Sequence, residues 1–319
     1  MIKVGVIGCD NPRAAELVRV LINHPDVELK WVTGTVAVGT RLDSIVPGIV
    51  GECDLRVVGQ GPFDEVNLVY LCGKRIDALS WLKSVDLPDK LAVIDMSGIH
   101  NLDYGDTEAS WKYGLSEMQR RLLVHDTRLV TVPGDVATVS LLALMPMARN
   151  LLLNSPIELK VALGASALSN EGKTVDGLTA TAWADDQQQE IVSALLHCQS
   201  SFDQPVTLTV TPLAERRTLA VEARFKCGVE DEVVHQLYEQ YYDDHNFVFM
   251  VDRPVVAADV ENTNKCLINI DKDHHSGYLT VRAVMDVLLK GSAGNAVHAM
   301  NLIFGLHERA GLALKGTGC

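Results

Sequence analysis

Short apolar runs alternate with helical patterns over roughly the first 134 residues. The run at 2–7 ends at Gly8, and the apolar residues of the next segment recur at helical spacing until His24-Pro25. Helical segments separate several further apolar runs of strand length, at 27–33, 67–72, 91–96 and 128–132. Strands that alternate with helices in this way predict a parallel sheet covered on both faces.

The pattern changes after Pro133-Gly134. Helices are predicted at 136–150, at about 184–199 and at about 230–243, and a terminal helix from about 292 to 304. The remaining apolar runs alternate or pair as in an antiparallel or mixed sheet, at 157–165, 206–213, 219–225, 247–252, 264–271 and 277–286. The predicted fold class is α/β, with a doubly wound, Rossmann-type domain at 1–134 and an α+β domain at 135–290.

Composition and charge narrow the choice of partners. The chain has 319 residues, of which 47% are hydrophobic, and this is enough for two separate cores. The formal net charge of −13 repels phosphate backbones and anionic lipids, so we expect neither nucleic acid nor membrane as a partner. No apolar run reaches the ~20 residues that cross a bilayer.

The compartment is inferred from the start of the chain and from the cysteines. The sequence enters a strand at once, without a basic segment followed by an apolar one, so no signal peptide is predicted. The seven cysteines form no CxxC pair, which is typical of free thiols in a reducing compartment rather than of disulfides or a zinc site. The expected location is the cytoplasm, and no metal site is expected.

Several segments resemble one family over nearly the whole chain. They are KVGVIG and AAELVRVLINHP near the start, VIDMSG at 93–98, KYGLSE at 112–117, VPGDVAT at 132–138, NTNKCLI at 262–268 and DVLLKGSAGNAVHAMNLIFGL at 286–306. They are similar to segments of N-acetyl-γ-glutamyl-phosphate reductases, in the short-chain variant of the semialdehyde dehydrogenase superfamily. The resemblance implies that the C-terminal segment 291–319 completes the first domain and that the second domain carries dimer contacts.

The same resemblance implies a reaction and its requirements. The family reduces an acyl phosphate to a semialdehyde with NADPH, in arginine synthesis. A cysteine thiolate attacks the acyl phosphate and forms a thioester, a hydride reduces the thioester, and a histidine handles protons. Each requirement can be compared with a position of this sequence.

The position that matches the family's nucleophilic cysteine is Asp135, directly after Pro-Gly. A carboxylate at the start of a helix is a favourable cap, and this is the simpler interpretation. A carboxylate that attacked an acyl phosphate would give a mixed anhydride instead of a thioester. A thiol recruited from elsewhere, such as Cys72, is the alternative.

The positions that match the family's His-x-His pair are Asp185 and Gln187, since Glu190-Ile191 is in register with a Glu-Ile step. Gln187 has no proton that titrates near neutral pH, so it cannot act as general acid or base. Asp185 and Asp186 are interpreted as the cap at the N-terminus of a helix.

The resemblance implies NADP(H) as cofactor and places it on the turn after the first strand. Gly5 and Gly8 are retained, but Asn11 and Ala14 stand at the next two positions of the glycine pattern. Glycines there allow the backbone to approach the pyrophosphate closely. Gly8 serves either as a phosphate-binding residue or only as a turn residue.

Further positions modify this prediction. Asp10 adds a negative charge beside the expected pyrophosphate, and Pro12 removes a backbone donor, so nucleotide binding is predicted to be weakened. Arg13 can compensate. In the family the segment with Gly291 and Asn295 lies near the cofactor, and tight packing alone also explains these two residues.

The predicted substrate positions are polar and cationic. Three of them lie after the first strand of the second domain: Ser166, Ser169 and Lys173. Arg217 matches a family arginine, and Arg216 adds a second charge. These residues either bind a carboxylate or phosphate or belong to ordinary polar loops and a solvated strand edge. At 99–101 the sequence IHN replaces an aromatic residue followed by arginine.

Three hypotheses follow from the selective loss of site residues. The first is a catalytically inactive relative that binds a nucleotide or an anionic metabolite, or that pairs with an active reductase. The second is an active NADP-dependent oxidoreductase with altered chemistry, acting on a semialdehyde or an acyl phosphate, in which Lys74, Arg75 and Asp135 polarise a carbonyl. The third is a structural protein that forms a persistent homo-oligomer and binds no small molecule.

Overall fold

The computed structural model describes residues 1–105, 110–124, 127–167, 174–175 and 178–316. The chain divides into two compact units, Met1–Pro133 with Ser292–Ala313 and Gly134–Gly291 with Leu314–Cys319. In the described part of the chain, no helix has the length and apolar composition needed to span a bilayer.

The first unit is built on a six-stranded parallel sheet. Its strands are β1 (Ile2–Ile7), β2 (Val27–Thr33), β3 (Leu68–Leu71), β4 (Ala92–Asp95), β5 (Lys112–Tyr113) and β6 (Leu129–Thr131), in the order β2-β1-β3-β4-β6-β5. Its helices are α1 (Pro12–Ile22), α2 (Arg75–Ser84), α3 (Ser116–Leu123) and, from the end of the chain, α7 (Gly294–Ile303). Every residue of β3 and β4 is buried, as in a sheet covered on both faces. This confirms the predicted doubly wound fold.

The second unit contains a mixed six-stranded sheet. Its strands are β7 (Ile157–Gly164), β10 (Val206–Leu213), β11 (Thr218–Lys226), β12 (Val248–Met250), β13 (Cys266–Lys272) and β14 (Tyr278–Asp286), in the order β10-β7-β11-β14-β13-β12. Two short strands, β8 (Thr174–Val175) and β9 (Leu178–Thr179), pair separately. The helices are α4 (Asp135–Arg149), α5 (Ala180–Cys198) and α6 (Asp231–Tyr242). All residues of α4 except the last are buried, so it is the central helix of this unit.

Two elements differ from the sequence-based expectation. Helix α5 begins at Ala180, four residues earlier than predicted, so Asp185 and Asp186 lie inside the helix and do not cap it. The Ala-Thr-Ala segment that starts the helix contains good helix formers but no apolar periodicity. A π-helical turn, Leu289–Ala293, precedes α7, so the helical segment begins three residues before the predicted start at about 292 and its first turn is not α-helical.

Candidate functional site

The turn between β1 and α1 is fixed by Gly8 and Asn11. Gly8 has a φ of +81°, and a Cβ added to it would lie 2.7 Å from the backbone of Gly73, so only glycine fits. Asn11 is the N-cap of α1 in an extended conformation with φ −136°. Its Oδ1 accepts the N–H of Ala14 at 3.0 Å, and its Nδ2 donates to the carbonyls of Gly8 and Cys72 at 3.0 and 2.8 Å.

Three backbone N–H groups of this turn, those of Gly8, Cys9 and Ala14, donate within the chain. The N–H groups of Gly8 and Cys9 donate to the carbonyl of Thr33 at 2.9 and 2.8 Å. Pro12 has no N–H, and the N–H of Ala14 is taken by the N-cap side chain. A pyrophosphate at a helix N-terminus is normally held by such groups. These four positions therefore offer no free backbone donor to a nucleotide.

The carboxylate of Asp10 lies at the end of β2. It accepts the N–H of Thr35 at 3.1 Å and is also hydrogen-bonded to the Thr35 hydroxyl. In doubly wound domains the ribose of a dinucleotide lies near the end of this strand. Residues 33–40 contain no lysine or arginine. Arg56 donates through Nη1 to the carbonyl of Gly39 at 2.7 Å, so a negative and a positive side chain both lie beside this segment.

The other residues predicted for the cofactor lie in different surroundings. Gly5 is in the middle of β1, where an added Cβ would lie 2.3 Å from the Trp31 ring, so this glycine serves packing. Arg13 is half-buried on the first turn of α1. Asn295 is the second residue of α7 and is buried.

The start of α4 carries the residue that matches the family's cysteine. Gly134 is the N-cap, and Asp135 is the first helical residue, one position later than a cap. Asp135 is 2% exposed, and its Oδ1 accepts the N–H of Val136 at 2.8 Å. The carboxylate therefore satisfies one of the N–H groups that a helix start leaves without a partner inside the helix.

Two side chains of α5 satisfy further N–H groups at the same helix start. Gln187 accepts the N–H of Ala137 at 3.2 Å through Oε1, and Glu190 accepts the N–H of Gly134 at 3.0 Å. Both side chains are buried. The amide of Gln187 lies directly against Gly134, since a Cβ added to Gly134 would lie 2.4 Å from it. An incoming anion would have to displace these side chains.

Gly291 places the start of α4 beside the end of β14. A Cβ added to Gly291 would lie 3.4 Å from the Cβ of Asp135 and 3.5 Å from the carbonyl of Asp286. The fully buried Asp286 carboxylate accepts the N–H groups of Leu288 and Leu289 at 2.9 and 3.0 Å. Gly291 in this unit is thus part of a close packing arrangement around Asp135.

Arg217, predicted to contact substrate, forms an ion pair inside this unit. Its Nε donates to Oδ2 of Asp286 at 2.6 Å, and its side chain is 16% exposed. Ser166 is half-buried beside the same segment, and its N–H donates to the carbonyl of Arg216 at 3.0 Å. The structure therefore brings Ser166 close to the arginine pair. Ser169 and Lys173 lie outside the described residues.

Two thiols of the first unit, Cys9 and Cys72, are poor substitutes for the missing nucleophile. Burial raises the pKa of Cys9 to about 11, and the charge of Asp10 adds to the rise. Burial also raises the pKa of Cys72, and its Sγ contacts the sulfur of Met96 at 3.6 Å. Thiolates, and not thiols, are the reactive species. Recruitment of Cys72 is therefore physically unfavourable.

Sequence reasoning missed a histidine–aspartate pair at the carboxyl end of β4. Asp95 is fully buried, and its Oδ2 lies 3.1 Å from Nδ1 of His100. Its Oδ1 accepts the N–H of Ser97 at 2.8 Å. The His100 ring stacks on Trp111 with 3.8 Å between ring centroids. The available signal was the position after a central parallel strand, where ligands of doubly wound sheets bind.

Comparisons with known proteins place these observations in a family. A family model described as the semialdehyde dehydrogenase NAD binding domain matches residues 3–125, and the semialdehyde dehydrogenase dimerisation domain matches 136–286. The chain is 34% identical over 326 residues to the N-acetyl-gamma-glutamyl-phosphate reductase of Phocaeicola vulgatus, covering 99% of each protein. It is 31% identical to the reductase of the same name from Parabacteroides distasonis, with the same coverage.

Solved structures share the fold at lower identity. The aspartate semialdehyde dehydrogenase II of Vibrio cholerae, complexed with ASA, superposes with a TM-score of 0.72 at 13% identity, covering 95% of this chain and 98% of that one. A probable aspartate-semialdehyde dehydrogenase from Pseudomonas aeruginosa gives a TM-score of 0.71 at 16% identity, with coverages of 94% and 98%.

Proposed function

This chain belongs to the semialdehyde dehydrogenase family, among the N-acetyl-γ-glutamyl-phosphate reductases, and on that premise we propose that it is a catalytically inactive member. It does not reduce acyl phosphates through a thioester. It acts instead as a regulatory or partner subunit, and binds small anionic metabolites weakly.

The observation that carries this proposal is the occupied start of α4. Thioester chemistry needs a thiolate there and a titrating group beside it. The chain has Asp135 and Gln187 at these positions, and both are engaged with backbone N–H groups of the same helix. Glu190 takes the N–H of Gly134 as well. Among the described residues at this helix start there is no thiol that can form a thioester, and the amide of Gln187 has no proton that titrates near neutral pH.

The nucleotide-binding turn supports the same proposal. The family model and the relatives favour a nicotinamide nucleotide as ligand of the first unit. The residues present do not fit a tightly held pyrophosphate, because the N–H groups of Gly8, Cys9 and Ala14 are used within the chain. Asp10 at the end of β2 further disfavours NADP(H). We expect weak nucleotide binding, with NAD(H) preferred.

A partner role is supported by the outer face of the mixed sheet in the second unit. On this face Arg282 pairs with Glu222 at 3.1 Å and lies 3.7 Å from Asp271. Arg224 lies over the ring of Tyr278 at 3.8 Å. These side chains are fixed in ion pairs and contacts but remain partly or largely exposed. We propose that this face pairs with a second copy or with an active reductase of the family.

Two experiments test the proposal. Thermal unfolding with NAD(H), NADP(H) and N-acetylglutamate should show little stabilisation, whereas a ligand at 100 times its Kd would add ~2.7 kcal/mol. Mixing the protein with an active reductase should give a hetero-oligomer in size-exclusion chromatography and a changed reductase rate. A strong shift with NADPH together with no association would contradict the partner role.

A second candidate function is favoured by the His100–Asp95 pair. Hydride transfer to an aldehyde or ketone needs no cysteine, only a cofactor and a proton donor. Asp95 orients the His100 ring at the carboxyl end of the parallel sheet. Turnover of a semialdehyde with a nicotinamide nucleotide, lost in His100→Gln, would support this function and replace the first.

A further inference from the structure

The first unit contains a cavity of about 280 Å³ on one face of its sheet. The cavity begins at Ile7 and Thr33, the last residues of β1 and β2. Its other walls come from Trp31 of β2, from the loop before β3 and from the C-terminal end of α2; the loop and helix residues are Gly59, Gln60, Gly61, Phe63, Trp81, Ser84 and Val85. Gln60 and Ser84 are exposed, so the cavity opens to solvent between them.

The floor of the cavity is a fixed indole ring. The Trp31 side chain is 3% exposed, and its Nε1 donates to the carbonyl of Pro62 at 3.1 Å. Gly5 and Gly61 lie directly against the ring, because an added Cβ would lie 2.3 and 2.1 Å from it. Two glycines thus make room for this tryptophan, and its indole N–H is already satisfied.

The upper wall is also aromatic and ordered. Phe63 and Trp81 pack edge to face with 5.8 Å between ring centroids. Both side chains are half-buried and contact the cluster that contains Trp31. Protein interiors are normally close-packed, whereas here the half-buried rings of Phe63 and Trp81 border an open space and can contact a ligand. The cavity therefore has the lining expected of a small-molecule pocket.

The lining also defines the chemistry of the ligand. No charged side chain lines the cavity, and its polar side chains are Thr33, Gln60 and Ser84. Its volume lies just under the ~300 Å³ lower end of ligand pockets, which limits the ligand to one small ring system. We propose that this cavity binds a small, uncharged aromatic molecule that carries a hydrogen-bonding edge. The residues of the turn from Gly8 to Arg13 do not line it, so the site is separate from the nucleotide-binding turn.

This inference goes beyond the proposed function, which rests on the start of α4 in the other unit. It gives the first unit a ligand class of its own. A measurement of acyl-phosphate reduction does not test ligand binding in the cavity, whatever its result. The cavity proposal and the proposed function can therefore be refuted independently.

Isothermal titration of the full-length protein with indole tests the inference. We expect saturable binding of one indole per chain, and at least ~5-fold weaker binding in Phe63→Ala and Trp81→Ala, as for the loss of an aromatic contact. Phe249→Ala, a truncation on the exposed side of the second unit, should bind indole like the wild type. Indole-3-acetate should bind more weakly than indole, because its carboxylate finds no cation in the lining.

A second variant keeps the test valid if the truncations fail to fold. Ser84 is exposed at the last position of α2, and its hydroxyl donates to the carbonyl of Trp81 at 2.8 Å. Ser84→Leu replaces this surface hydrogen bond with a larger side chain at the mouth, and we expect it to abolish indole binding. Absence of saturable binding, or equal affinity in wild type and Ser84→Leu, would overturn the inference. Displacement of indole by saturating NAD⁺ would also overturn it, since the cavity would then be part of a nucleotide site.

Discussion

The side-chain amide of Gln187 accepts the backbone N–H of Ala137, and the distance between Oε1 and N is 3.2 Å. The two residues are 50 positions apart in the chain, on α5 and α4. In the related reductases, by resemblance, a histidine stands at the position of Gln187. In this chain the side chain at this position satisfies an N–H group at the start of α4.

Truncation of this cap should destabilise the protein. Gln187→Ala removes the acceptor of a buried N–H, and we expect a loss of about 1–2 kcal/mol in the free energy of unfolding. Gln189→Ala on the exposed side of the same helix is the matched control and should stay within about 0.5 kcal/mol. Urea denaturation measures both. Equal stabilities of the two variants would show that the bond contributes nothing.

The ion pair of Arg217 with Asp286 should be structural. Arg217→Met leaves the buried carboxylate without its charge partner, and loss of a buried pair costs ~3–5 kcal/mol. The arginine is 16% exposed, so we expect the lower end of that range. Arg216→Met, on the exposed neighbour, is the control. A stable Arg217→Met protein with weaker binding of an anionic ligand would instead identify Arg217 as a ligand-binding residue.

Stability should fall as the pH drops through the range of histidine. Burial lowers the pKa of His24 below its ordinary value of 6.5, although the hydrogen bond with Asn301 opposes the shift. The unfolded chain then binds a proton that the folded one does not, so stability is lost below about pH 6.5. One such group contributes a slope of up to about 1.4 kcal/mol per pH unit.

Comparison with a variant isolates this contribution. His24→Gln should show a shallower loss of stability between pH 7 and 5 than the wild type in urea denaturation. His235→Gln, at a half-exposed position on α6, should follow the wild type. An identical pH profile for all three proteins would exclude His24 as the source.

The buried thiols should resist alkylation. Burial raises the pKa of Cys9 and Cys72, so both are protonated at pH 8 and shielded from reagent. Cys53 is only half-buried and should react with iodoacetamide before Cys9 and Cys72. Mass spectrometry of the labelled peptides gives the order of modification. Rapid labelling of Cys72 would instead support the alternative in which this thiol acts as the nucleophile.

The fold could be predicted from the sequence because its strands and helices have clear hydrophobic periods. The predicted starts of two helices differ from the observed ones where tertiary contacts determine them. Helix α5 starts at Ala180, where the sequence has no apolar periodicity. A π-helical turn precedes α7, and the N–H of its first residue, Leu289, donates to the Asp286 carboxylate. Such contacts carry no local signal.

The site could be predicted only as a set of positions. Resemblance located Asp135 and Gln187, but not what they contact. The sequence identifies Glu190 only as part of a Glu-Ile step, although its carboxylate accepts the N–H of Gly134. The sequence offers Arg217 as a ligand-binding residue, but in the structure its side chain binds Asp286, which lies 69 positions away. Partners this distant are set by the fold and cannot be read from local sequence.

The proposed lack of catalytic activity is tested by measuring the oxidation of NADPH that depends on an acyl phosphate. The purified wild-type chain is incubated with NADPH and N-acetyl-γ-glutamyl phosphate, with an active reductase of the family as positive control, and NADPH absorbance is followed. We expect no oxidation above the rate without acyl phosphate, because Asp135 supplies no thiolate and Gln187 has no titrating proton, and both are bonded to N–H groups at the start of α4. Robust oxidation that depends on the acyl phosphate and produces the semialdehyde would contradict it.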